Sequence, residues 1–137
     1  MSIAACSLGA ATTCLQLARD YTKNRRQFGQ PLSANQTVAF NLADMATDLY
    51  MSRLAIRDAA RLLDEGHPTA AIACASAKKF ATDKGFEICN TALQLHGGYG
   101  YLRDYPIERF VRDCRVHQIL EGTNQIMNVV IARHVLA

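Results

Sequence analysis

With 137 residues, half of them hydrophobic and 20% charged, the chain has the size and composition of one globular domain with a single core. Its formal charge of +3, from 15 basic and 12 acidic residues, is too small for the field expected of a nucleic-acid-binding or membrane-surface protein. No run approaches the roughly 20 apolar residues that cross a bilayer, and the apolar stretch Met1 to Cys14 has no basic leader, so neither a membrane span nor a signal peptide is expected.

The first predicted element is a long amphipathic helix. Ala4, Leu8, Ala11, Leu15, Ala18 and Thr22 recur at alternating helical steps, with Arg19, Asp20 and Lys23 off the stripe. Lys23, Arg25 and Arg26 form the one dense basic cluster and read as a solvated helix end, where cations suit the dipole. The connection from Asn24 to Ala34 is longer than a minimal bundle turn and holds Phe28, Gly29 and Pro31, which makes it a candidate ligand or partner contact. A second helix follows on Val38, Leu42, Met45, Leu49, Ser52, Ile56, Ala59 and Leu63. Ser33 and Gln36 stand before it at capping-box spacing, and Gly66-His67-Pro68 ends it.

A third helix starts near Pro68, carries Cys74, Ala77, Ala81, Gly85, Ile88, Ala92 and Leu95 on one face, and stops at Gly97-Gly98. Pro106 to about Arg115 reads as a short helix and Asn124 to Ala137 as the last. There is no convincing strand signal. The predicted fold is all-α, an antiparallel helix bundle whose small-residue stripes let the helices approach closely. The five cysteines form no CxxC pair and no metal-ligand spacing, and their apolar surroundings suggest reduced, mostly buried thiols.

Four clusters carry polar chemistry: Asn24 to Gly29, Gln94 to Gly100, Arg112 to Arg115, and the run Ile119-Leu120-Glu121-Gly122-Thr123-Asn124-Gln125. Glu121 is a lone carboxylate between an apolar pair and a glycine. It reads either as a proton-abstracting base beside a partly dry cleft, where burial raises its basicity, or as a helix-start cap. Gly97, Gly98 and Gly100 are a helix stop, or backbone donors for a phosphate or ribose. Arg112, Asp113 and Arg115 read as a salt-bridged helix surface or as ligand contacts. His96 is a hydrogen-bonded helix-terminal histidine or a cofactor-edge contact, and His117 orients the loop before Glu121. No Ser/His/Asp or Cys/His nucleophilic set assembles, so the pattern fits proton abstraction with an organic cofactor better than hydrolysis.

The ordered residues Arg25-x-x-Phe28-Gly29, Gln36, Leu42-Ala43-Asp44-Met45-Ala46, Gln94-x-x-Gly97-Gly98-x-Gly100-Tyr101, Arg112-Asp113 and Glu121-Gly122-Thr123 resemble the C-terminal helical domain of acyl-CoA dehydrogenases over essentially the whole chain. Leu120 and the stretch Leu95 to Tyr101 most resemble the isobutyryl-CoA branch of that family. The resemblance implies a four-helix bundle with short C-terminal helices, spanning residues 1–137. It also implies a FAD-dependent oxidation of a short or branched acyl-CoA to its 2,3-enoyl form.

On that resemblance, Glu121 is the base that removes the α-proton, Gly122 lies against substrate, and Thr123, Asn124 and Gln125 form a FAD-contacting turn. Arg25 matches the arginine at the FAD diphosphate and Gln36 a glutamine that contacts FAD across a subunit boundary. Gln94, Leu95, His96, Gly97 and Gly98 match a further FAD stretch. The implied partners are an acyl-CoA, an electron-transfer flavoprotein and further subunits in a homodimer or homotetramer. The implied location is the cytoplasm of a bacterium or the mitochondrial matrix of a eukaryote. The family's N-terminal helical and middle β domains have no counterpart in these residues, so independent catalysis is not expected. The other reading is a non-catalytic helical module, left by truncation, that serves oligomerisation or partner binding.

Overall fold

The computed structural model describes residues 1–137. Five α-helices carry the fold: α1 (Ser2–Asn24), α2 (Gln36–Asp64), α3 (Ala70–His96), α4 (Ile107–His117) and α5 (Asn124–Val135). The third helix is the hub and touches all the others. Side-chain partners fix the directions. Ser7 lies beside Gly85 and Tyr21 stacks on His96, so α1 and α3 run the same way. Asp48 meets Lys84 at 3.3 Å, and Cys74 approaches the Ala59 carbonyl, so α2 runs opposite to α3. Tyr105 near His96 and Gln118 on Asp83 place α4 antiparallel to α3 as well. The expected antiparallel bundle is observed.

Small residues set the spacing. Gly85 is buried, and a Cβ there would lie 3.0 Å from the Ser7 Cβ, so α1 and α3 meet almost backbone to backbone. Ala4, Ala11 and Ala18 line the same seam on α1. The core centres on three thiols from three helices, Cys14, Cys89 and Cys114, packed with Met45, Leu49, Ile88 and Ile107. All five cysteines are free, with Cys6 exposed and Cys74 half-buried. Along α2 the apolar stripe outruns the core, and Leu63 is 54% exposed.

Three expectations are corrected. The N-cap of α2 is Asn35, whose side chain accepts a hydrogen bond from the Thr37 N–H at 2.9 Å. Ser33 cannot serve because it lies inside a short 3-10 turn, Leu32–Ala34. The third helix begins at Ala70 after Thr69, two residues beyond Pro68. The 24–34 connection contains a minimal antiparallel hairpin, β1 (Arg26–Gln27) with β2 (Gln30–Pro31), too short to leave an alternating pattern in the sequence.

Candidate functional site

The turn from Gln118 to Thr123 joins α4 to α5 and is held at both ends by backbone bonds. Ile119 and Leu120 N–H groups both donate to the Val116 carbonyl, at 2.9 and 3.0 Å. The Asn124 N–H donates back to Gln118 O at 3.0 Å, closing the loop. Inside it, Glu121 and Gly122 are both left-handed, with φ of 53° and 87°. For a glutamate that conformation costs about 1 kcal/mol or more, and it persists only where the surroundings over-determine it. At position 122 the positive φ favours glycine, and a Cβ there would lie 2.9 Å from Met127 Cε, so any side chain would be strained and would require Met127 to move.

The capping reading of Glu121 is overturned. Thr123 is the N-cap of α5: it is extended, and its hydroxyl accepts from the Ile126 N–H at 3.3 Å. Glu121 makes no side-chain hydrogen bond or ion pair and is exposed, so the turn presents its carboxylate outward. The expected dry cleft is not formed by these residues alone, because nothing in this chain covers that face of the turn.

Beneath the turn lies a buried cation. Lys78 is 3% exposed, and its ammonium donates to Gly122 O at 2.8 Å, to Asn124 Oδ1 at 2.7 Å and, more weakly, to Gln118 O at 3.5 Å. Asn124 Nδ2 in turn donates to Asp83 Oδ1 at 2.7 Å and to Thr82 Oγ1 at 3.0 Å, and Gln118 Nε2 donates to the same Asp83 oxygen at 2.7 Å. Burial lowers the Lys78 pKa, while Asp83 and Glu121 oppose that shift by their charge. The side chain of Asn124 is thus fully engaged within the protein. On the other side of the turn His117 bonds Ser7 Oγ at 2.8 Å and anchors the end of α4 to α1.

The remaining predicted residues gather at the opposite end of α3. His96 is buried, its Nδ1 bonded to the Ala92 carbonyl at 2.8 Å and its ring stacked on Tyr21 at 4.2 Å, so the helix-terminal reading describes its side chain. Gly97 caps α3 with φ of 59°, and both Gly97 and Gly98 are exposed with open space where a Cβ would stand. Arg25 is exposed, lies over the Tyr99 ring and forms no ion pair. Gln36, Gln94 and the half-buried Leu95 belong to the same end, at the start of α2 and the last turn of α3. Arg112, Asp113 and Arg115 form no salt bridge; Arg115 instead donates to Gln118 Oε1 at 3.1 Å.

The predicted residues therefore fall into two groups. Lys78 and His96 lie 18 positions apart on one helix, which at the helical rise separates the groups by about 27 Å. Sequence reading missed Lys78 and Asp83 on the Glu121 side. Helical spacing held a signal: Lys78 stands midway between Cys74 and Thr82 at steps of four, on the buried face. Phe28, in the connection expected to contact a ligand or partner, is 99% exposed at φ 53° on the hairpin turn. A bulky residue held in that strained conformation without an intramolecular contact is placed for something outside the chain.

Residues 1–136 match the family described as acyl-CoA dehydrogenase, C-terminal domain. The chain is 56% identical to the mitochondrial isobutyryl-CoA dehydrogenase of Bos taurus over 136 residues, which is 99% of this chain and 33% of that protein. It superposes on butyryl-CoA dehydrogenase from Megasphaera elsdenii with a TM-score of 0.95 and 38% identity, covering 98% of this chain and 35% of that one. An FAD complex of PigA is similar as well, with a TM-score of 0.92, 26% identity and coverage of 96% and 34%. The chain thus spans about a third of the length of the proteins it matches.

Proposed function

The chain belongs to the acyl-CoA dehydrogenase family, and we propose that it forms the C-terminal helical part of a FAD-dependent enzyme that desaturates a short or branched acyl-CoA. The observation that carries this reading is the left-handed, outward-facing Glu121 on a turn braced from below by Lys78. A free carboxylate on a rigid turn is what abstraction of a weakly acidic α-proton requires of a base. Glu121 takes the α-proton as the α,β double bond forms and the β-hydrogen leaves with its electron pair. FAD, when bound, supplies the two-electron acceptor for that hydride.

The residues present fit such a cofactor. Arg25 is an exposed guanidinium with no carboxylate partner, next to a glycine turn whose backbone is open, and a diphosphate suits both. Gln36 and Gln94 to Gly98 would share that end, while Thr123, Asn124 and Gln125 would approach through their backbone and exposed edges beside Glu121. Gly122, without a side chain, leaves room for the acyl thioester. The 27 Å or so between the two groups supports a flavin shared between subunits, each chain giving Glu121 to one site and Arg25 to another. Exposed Phe28, Phe40, Tyr50 and Met51 give such an assembly, or further polypeptide, apolar surface to cover. That cover would also supply the dry environment the base needs. The bovine relative's name supports a branched substrate, and an electron-transfer flavoprotein is the proposed acceptor of the electrons.

The test is Glu121→Gln in the flavin-loaded enzyme, assayed by acyl-CoA-dependent dye reduction. Turnover falls by orders of magnitude while the yellow flavin stays bound; near-normal turnover removes the assignment.

A further inference from the structure

Lys78 is an unusual residue to find in the core of a small helical protein. Its ammonium is taken out of water, yet it meets no carboxylate at ion-pair distance. Its partners are two carbonyls and one amide oxygen, and all three belong to the segment 118–124. No other side chain of α3 reaches the two inward-facing carbonyls of this turn, on either side of Glu121. The network behind it is equally directed. Thr82 and Asp83, one helical turn along, hold Asn124 and Gln118, the last and first residues of the same segment.

Such an arrangement explains how Glu121 keeps a left-handed backbone that a glutamate resists. Gly122 within the strained pair, and Gln118 and Asn124 at the two ends of the segment, are fixed by groups on α3, the most embedded helix of the protein. With those bonds removed, the left-handed backbone of Glu121 is less firmly held, and its carboxylate is displaced on the ångström scale.

We infer that Lys78 is a positioning residue for the reaction, holding the carbonyls of Gln118 and Gly122 and the amide of Asn124 so that Glu121 is displayed in its left-handed conformation. The inference rests on the proposed role of Glu121 as base. Lys78 touches neither substrate nor cofactor in this role and acts only through Glu121.

The test is Lys78→Met in the flavin-loaded enzyme, alone and combined with Glu121→Gln. The kcat falls about 100-fold, the loss expected for a misplacement of the base on the ångström scale. The acyl-CoA KM changes by less than about threefold and flavin content is retained, because binding does not depend on the base. In the Glu121→Gln background the same substitution costs the residual turnover less than about twofold, since no base remains to be misplaced. Should Lys78→Met fail to fold, Thr82→Val loosens Asn124 more gently, and its several-fold loss is likewise absent in the Glu121→Gln background.

Equal losses in both backgrounds, or a kcat within about threefold of wild type for whichever variant folds, overturn the inference and leave Glu121 as the base. Near-normal turnover of Glu121→Gln by itself overturns the base assignment and this inference with it.

Discussion

The Arg25 guanidinium lies 5.6 Å from the centroid of the Tyr99 ring, joining the end of α1 to the turn after α3. An exposed cation–π contact of this kind contributes only about 0.5–1 kcal/mol, so the arginine's place here is weakly justified by stability. Replacing Arg25 by Ala leaves the thermal midpoint of the apoprotein within a few degrees and weakens FAD binding at least tenfold, by fluorescence titration. Arg25→Lys falls between, because lysine keeps the charge but loses the planar fork. Unchanged FAD affinity in Arg25→Ala separates this end of the bundle from the cofactor.

A shared flavin makes a sharper prediction. If Arg25 and Glu121 of one chain serve different sites, co-assembling Arg25→Ala chains with Glu121→Gln chains regenerates one intact site in each mixed dimer. A statistical mixture then recovers about a quarter of wild-type turnover, well above the sum of the parents. Turnover no higher than the parents' average places both residues at the same flavin.

Thr123 ends the turn and starts α5 through one side-chain bond to the Ile126 N–H. Thr123→Ala costs about 1 kcal/mol, read as a shift of several degrees in the thermal midpoint. Thr123→Ser keeps the cap and most of the stability. A midpoint for Ala equal to that of Ser shows that the cap contributes nothing.

Protonation sets a limit on the acid side. Burial holds His96 and His117 below the ordinary histidine range, opposed only in part by the Ala92 carbonyl at the first and by Asp113 at the second. The nearby Lys78 lowers His117 further. Each ring is therefore neutral in the fold at pH values where the unfolded chain already takes up a proton. Stability is complete above about pH 6.5 and falls as the pH drops through that value. Urea midpoints measured at about pH 7.5 and 5.5 are expected to decrease, and His96→Gln to decrease less. A midpoint that rises on acidification contradicts the burial of these rings.

Much of the bundle was legible before any coordinates. Ala4, Ala11, Ala18, Met45, Leu49 and Ala92 sit in the core where helical spacing puts them, and Gly97 stops α3 where the glycine pair suggested. The caps were less readable. Asn35 took the place of Ser33 because three residues before α2 closed into a 3-10 turn, a choice decided by how that segment meets α1 and α2. The hairpin at Arg26 to Pro31 was invisible for a different reason, since two-residue strands have no periodicity to detect.

For the site, the sequence alone determined which residues are present and their order, and through that order the family. Composition and spacing are local properties, and local interactions write themselves into a helix repeat. What only the tertiary structure decided is how those residues are held. Lys78 is distant from Glu121 in the chain, and nothing along the backbone ties them; packing of α3 against the 118–124 turn puts the ammonium under Gly122. The same packing sends Arg25 and Gly97 to the far end of α3, so the clusters lie in two separate groups. Such contacts depend on the directions of whole helices, and no window of sequence contains them.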